Sequence, residues 1–211
     1  MVKHSMRRKD SPPVRIGATR AQDDMADLPQ RVAAEKTPPS VFLDFTGIEA
    51  INGSYARASA AWLLNCSIAV RTGEPANMPS SPDPWEIRPL PIQALFVINL
   101  SDEVREEIDL LFKQQRLPCL EAVDWDENEV RKVRILGHLD PQLFRALECL
   151  QTVGNGAVAE TLWKRFPEDR IGMTAWNNRL SELYQRHMVS RVKDGKFWRY
   201  SLEFKEAKYG I

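Results

Sequence analysis

The sequence predicts an α/β layer followed by a compact unit of three helices closed by a β-hairpin. Three observations carry this. Apolar strand-like runs alternate with helical spacing between residues 14 and 138. From residue 139 onward, helical spacing recurs three times and then yields to an aromatic run just after Asp194-Gly195, a hairpin turn signal. The formal net charge of zero also conceals a division between these stretches. Residues 41–140 hold nine Lys/Arg and sixteen Asp/Glu, whereas residues 141–211 hold twelve and eight. Residues 1–40 hold eight and five. An acidic middle and a basic end suggest two modules facing different partners.

Length and composition fit this division. With 211 residues, 43% hydrophobic and 27% charged, the chain has the makeup of one or two globular domains, not of a disordered or collagenous one. The most apolar run, Ala58 to Val70, is interrupted by Ser59, Asn65, Cys66 and Ser67 and is too short to span a bilayer. Met1 to Asp10 is basic with no apolar stretch behind it, so no secretory signal is expected. Three widely spaced cysteines, an odd number, argue for a reducing cytoplasm.

Along the chain, residues 1–13 read as a flexible basic tail in which Arg7-Arg8-Lys9 could follow a nucleic-acid backbone. Val14 to Gly17 reads as a short first strand and Asp23 to Lys36 as a helix weakened by Pro29. In the next strand Val41, Leu43 and Phe45 share one side, with Phe42 and Asp44 on the other. Gly47 and Gly53 mark a turn, and Ser54 to Val70 reads as a helix with Ser54 as its cap. Six prolines between Arg71 and Gln93 break regular structure, leaving an insertion in which Trp85 tucks against the core or a binding loop forms. Ala94 to Leu100 is a continuous apolar strand. Ser101 caps a helix whose Val104, Ile108, Leu111 and Phe112 share a face. Pro118 stops or restarts that helix, and Val130 to Gly137 alternates as a strand.

The segment Leu43-Asp44-Phe45-Thr46-Gly47-Ile48, followed by Ile51-Asn52-Gly53-Ser54-Tyr55-Ala56, resembles the strand–turn–helix of STAS-like domains, the sulfate-transporter and anti-sigma-factor-antagonist group, in their uncharacterised bacterial branch. The resemblance covers residues 14–138. It implies a partner-docking or dimerisation domain, and in the antagonists a serine at this turn is phosphorylated by a kinase-like partner. A phosphoryl group there would add about −1.5 to −2 charge. Here the phosphoacceptor position aligns with Gly53, and Ser54 follows one place later, which favours a cap over a modification site.

In residues 139–211, Leu143, Leu147 and Leu150 line a helix over Leu139 to Val153. Gly154-Asn155-Gly156 breaks it, and Ala157 to Phe166 makes a second helix that ends at Pro167. Thr174 caps a third, with Trp176, Leu180, Leu183 and Tyr184 inward. Met188 to Val192 and Phe197 to Leu202 flank the hairpin turn. Three helices and a hairpin resemble the winged helix-turn-helix, with Thr174 to Leu183 as recognition helix and Arg191 to Tyr200 as wing. That resemblance implies double-stranded DNA as partner, although many winged helices bind proteins. The outer face of the third helix would present Thr174, Ala175, Asn177, Asn178 and Ser181 to base edges. Asn pairs bidentately with adenine, and Ala or a Thr methyl meets thymine. Arg179 and Gln185, with Arg191, Lys193, Lys196 and Arg199 of the wing, would reach phosphates. A solvated helix face with ordinary surface lysines is the plainer alternative.

No enzyme is expected. His4, His138 and His187 lack metal-ligand spacing, and Gly154-x-Gly156 lacks the Lys-Ser/Thr of a phosphate loop. Asp124 to Asn128 mimics a calcium loop but carries Glu129 and Ile135 at the positions that need Gly and Glu. Cys66 and Cys149 fall on apolar faces. No metal or cofactor is expected. The expected function is a cytoplasmic, homodimeric DNA-binding regulator. The alternatives are a protein-interaction adaptor docking a kinase-like or effector partner at Ser54, or a repressor or component of a bacterial defence or toxin–antitoxin system.

Overall fold

A computed structural model describes residues 1–8, 11–73 and 90–210. Its centre is a six-stranded sheet formed by β1 (Val2–Ser5), β3 (Ser40–Asp44), β5 (Ala94–Ile98), β6 (Pro118–Trp125), β7 (Val130–Gly137) and β10 (Glu206–Tyr209), in that spatial order. All neighbours are parallel except the β6–β7 hairpin. A second, two-stranded parallel sheet joins β2 (Val14–Arg15) to β4 (Ala50–Ile51).

The strand order explains the layering. From β1 to β6 each crossover steps to the next strand in the same direction, and parallel crossovers share one hand. The intervening helices therefore fall on one face: α1 (Ala18–Met25), α2 (Leu28–Ala33), α3 (Gly53–Ala56), α4 (Trp62–Thr72) and α5 (Asp102–Gln114). Val41, Leu43, Phe45, Leu95, Val97, Cys119 and Leu136 point into that helical core. Their alternate neighbours Phe42, Phe96, Ile98, Leu120 and Ile135 point the other way, with Phe42 and Phe96 stacked at 4.9 Å. This second face would be bare without the C-terminal segment.

That segment covers it with α6 (Pro141–Val153), α7 (Ala159–Arg165), α8 (Met173–Gln185) and the hairpin β8 (Ser190–Asp194) and β9 (Phe197–Ser201). Leu143, Leu147, Leu150, Leu180 and Leu183 share one core with the sheet residues. β10 then returns to the sheet beside β7. The change from acidic to basic sequence near residue 139 is thus a boundary in the chain but not a gap in the core.

Several expectations change. Residues 2–5 of the expected flexible tail are a sheet strand: Val2, His4 and Met6 are buried, and Lys3 Nζ lies 2.9 Å from Asp44 Oδ2. Lys9, the prolines at 75, 79, 82, 84 and 89, and Trp85 lie outside the described residues. Val14–Arg15 pairs outside the main sheet. The helix expected over 23–36 is two helices, and Pro29 sits in the first turn of α2, where no N–H is needed. Ser54 is not the cap of α3. Asn52 is, its Oδ1 accepting from Tyr55 N at 3.0 Å and from Gly17 N at 3.1 Å. A π-helical segment, Arg57–Ala61, links α3 to α4, and the Ser59 hydroxyl donates to Tyr55 O inside it. Ser101 does cap α5, accepting from Val104 N at 3.3 Å. Pro118 opens β6, a strand the sequence reading lacked. The supposed acidic loop is the end of β6 and a hairpin turn, with Asp126 Oδ1 accepting from Asn128 N and Glu129 N. Among the described residues no helix is long and apolar enough to cross a membrane.

Candidate nucleic-acid interface

Helix α8 buries Trp176, Leu180 and Leu183, so the helical period turns Thr174, Asn178, Ser181 and Gln185 to the opposite side. Thr174, Asn177, Asn178 and Gln185 are exposed, whereas Ala175 and Ser181 are half-buried. Thr174 is not the cap. The helix begins at Met173 after Gly172, which offers no side chain, so the Thr174 hydroxyl and methyl stand free in the first turn. Arg179 turns away from this strip: its Nη2 donates to Gln142 Oε1 at 2.8 Å and its guanidinium lies over Trp176.

The two halves of α8 face different surroundings. Asn178, Ser181 and Gln185 line an open groove of about 590 Å³ whose other wall is the end of α4 and the turn after α5. Thr174 and Asn177 lie outside that groove. Ahead of the helix, Arg145 draws in both acids of the preceding turn, Asp169 at 3.1 Å and Glu168 at 3.5 Å. Arg165 and Arg170 are exposed and, among the described residues, make no ion pair. These two cations were missed by sequence reasoning. The signal was present in Lys164-Arg165 and Arg170 around Pro167, directly before the helix.

The hairpin divides its cations. Lys193 and Lys196 are exposed, with Lys196 Nζ 5.2 Å from the Phe197 ring centre. Arg199 is spent internally, bridging to Asp194 at 2.5 Å and donating to Gly156 O at 3.2 Å. Arg191 is sandwiched between the rings of Tyr184 at 4.0 Å and Trp198 at 4.1 Å. Arg71 stacks on the Tyr184 ring at 4.4 Å and donates to Tyr184 O and Val189 O. This column of alternating rings and guanidinium groups ties the hairpin to α8 and α8 to α4. Burial pulls the Arg71 pKa down to about 10, which leaves it charged at neutral pH. A bridge between Ala157 and Tyr200 fixes the hairpin to the turn between α6 and α7. The expected site therefore separates. Thr174, Asn177, Asn178, Lys193 and Lys196 are presented to solvent, while Arg179, Arg191 and Arg199 are held by intramolecular partners.

At the other expected site, Ser54 is exposed in the first turn of α3. Beneath it, Tyr55 donates to Asp24 Oδ2 at 2.9 Å, and the buried Arg15 Nε lies 3.5 Å from the same oxygen. The α5 carboxylate Glu107 is close by: a Cβ on Gly53 would lie 3.1 Å from its Oε1. The Gly17–Asn52 bond brings exposed Ile16 beside this turn.

All three thiols are buried, and burial raises their pKa, Cys66 to about 12 and Cys149 to about 11. Cys119 is raised further. Among the described residues no group of three or more His, Cys, Asp or Glu side chains could hold a metal ion. The chain matches no family model, no curated protein and no solved structure.

Proposed function

We propose that the chain is a double-stranded DNA-binding regulator in which α6–α8 and the β8–β9 hairpin act as a winged helix. The α/β layer then serves as a STAS-like dimerisation, sensing or docking platform. The observation that carries this reading is the exposed N-terminal half of α8. Thr174, Asn177 and Asn178 stand clear of the core there, with Arg165 and Arg170, which make no ion pair among the described residues, just before them. Recognition helices read base edges chiefly through their N-terminal residues. The asparagines suit adenine, and the threonine methyl suits thymine. Lys193 and Lys196 then reach the backbone as point charges. Such a unit covers a short half-site, so a homodimer on a pseudo-palindrome is the expected assembly.

The two residue classes test differently. Lys193→Ala with Lys196→Ala should weaken binding to every duplex and flatten the salt slope by about 0.9 per lost phosphate contact. Asn177→Ala or Asn178→Ala should cost about 1–3 kcal/mol on a selected site and little on random sequence. Identical losses on both duplexes for the asparagine variants would remove their reading role.

A second reading, an adaptor docking a kinase-like partner, is favoured by the exposed Ser54 beside the exposed Ile16. A phosphate on Ser54 would add negative charge to the first turn of α3, next to Gly53, which lies close to the Glu107 carboxylate. Incubation with ATP and a co-encoded kinase-type protein should place a phosphate on Ser54 if this reading holds. An unmodified chain would count against it. A co-encoded toxic effector would point instead to a repressor within a defence or toxin–antitoxin system.

A further inference from the structure

We propose that Arg116, a residue of the α/β layer, is a phosphate-binding residue of the same DNA interface, holding the duplex backbone in the groove beside the C-terminal half of α8. This rests on the DNA-binding reading above. The groove puts Asn178, Ser181 and Gln185 on one wall and Gln115 and Arg116 on the other. The two walls are tied together by Arg186, the residue that ends α8, which donates to Arg116 O at 2.9 Å.

The charge of the groove decides its occupant. Its one carboxylate among the described residues, Glu182, is engaged by Arg186 at 2.9 Å. The neighbouring Lys113 is held by Asp109 at 2.5 Å. Arg116 is exposed and, among the described residues, its guanidinium has no partner. Thr72, Gln115, Asn178, Ser181 and Gln185 add amide and hydroxyl groups to the lining, and Ile68 and Leu117 add apolar surface. A guanidinium with no partner among the described residues, set beside amide and hydroxyl donors, suits a chain of phosphates better than an apolar peptide, which needs pockets for its side chains.

The backbone at Arg116 points the same way. Its φ is 55°, a left-handed conformation in which glycine is the least strained residue and arginine an uncommon one. The turn is fixed on both sides, by Arg116 N to Lys113 O at 3.1 Å and Leu117 N to Phe112 O at 3.0 Å. An arginine at this strained position presents a charge from an immobile base. With the first half of α8 in the major groove, the flanking strand passes its second half, where this guanidinium stands.

The test uses the full chain and a random-sequence duplex, titrated by fluorescence anisotropy across a range of salt. Arg116→Gly removes the charge and relieves the left-handed backbone, so folding stability should hold or rise while DNA binding weakens. The salt slope should fall by about 0.9, as for loss of one phosphate contact. Arg116→Lys should restore most of that slope. If Arg116→Gly binds as tightly as the parent, with an unchanged slope, while Lys196→Ala weakens binding, the Arg116 assignment is overturned and the winged-helix reading stands. If the parent chain itself fails to bind duplex at low salt, both fall together.

Discussion

At His187 the backbone turns left-handed with φ 63° just past α8, and the ring is buried against the α/β layer. Burial holds its pKa well below the usual 6.5, and the neighbouring Arg71 guanidinium adds to the effect. His4 is lowered in the same sense, again chiefly by burial. An unfolded chain takes up protons at these residues as the pH drops through 6.5, and the folded chain does not. The unfolded state then binds more protons, so stability is full above that pH and is lost below it. Urea midpoints should fall between about pH 7.5 and about pH 5.5. His187→Asn tolerates the left-handed backbone and should show a smaller fall; an identical fall would clear His187 of the effect. Residue roles were legible where they depend on local period alone. Thr174, Asn177 and Asn178 emerge on the outer side of α8 because Trp176, Leu180 and Leu183 fix the inner one. Arg179, Arg191 and Arg199 were not legible as internally held, since Gln142, the Tyr184 and Trp198 rings, and Asp194 with Gly156 reach them only through tertiary structure or hairpin register.

Among the elements, long periodic segments announced themselves and short or mixed strands did not. Helix α5 carries a capping serine, acids in its first turn and a clear apolar face, all visible in order. β6 is obscured because its inward-pointing Glu121 breaks the apolar pattern. That carboxylate is buried only because Arg105 and Arg134 lie 3.0 and 3.3 Å away. β1 and β10 have only four residues each, and β1 buries a histidine. The one-way winding of the sheet makes the C-terminal helices indispensable at this scale. A chain ending at residue 138 would leave Phe42, Phe96, Leu120 and Ile135 uncovered on a broad sheet face. It should be insoluble or lack a cooperative urea transition. A soluble fragment with a sharp transition would show that the two layers fold independently.

Across the whole molecule, the acidic middle of the sequence overstates the acidity of its surface. Asp44, Asp109 and Glu121 are all buried and paired with Lys3, Lys113, Arg105 and Arg134. In the C-terminal part, by contrast, exposed Arg165, Arg170, Lys193 and Lys196 make no ion pairs among the described residues. The charge division read from the sequence therefore has a structural counterpart, although buried pairing softens its acidic side. The Arg71–Tyr184–Arg191 column links α4, on the α1–α5 side, to the hairpin directly. The most direct test of the account is a binding selection from random double-stranded oligonucleotides with the purified full chain at stated salt. The account predicts enrichment of a short, adenine- and thymine-containing half-site, repeated about a helical turn apart and bound less tightly as salt rises. Recovery of unenriched sequence at every salt concentration, or no duplex retained even at the lowest, would contradict it.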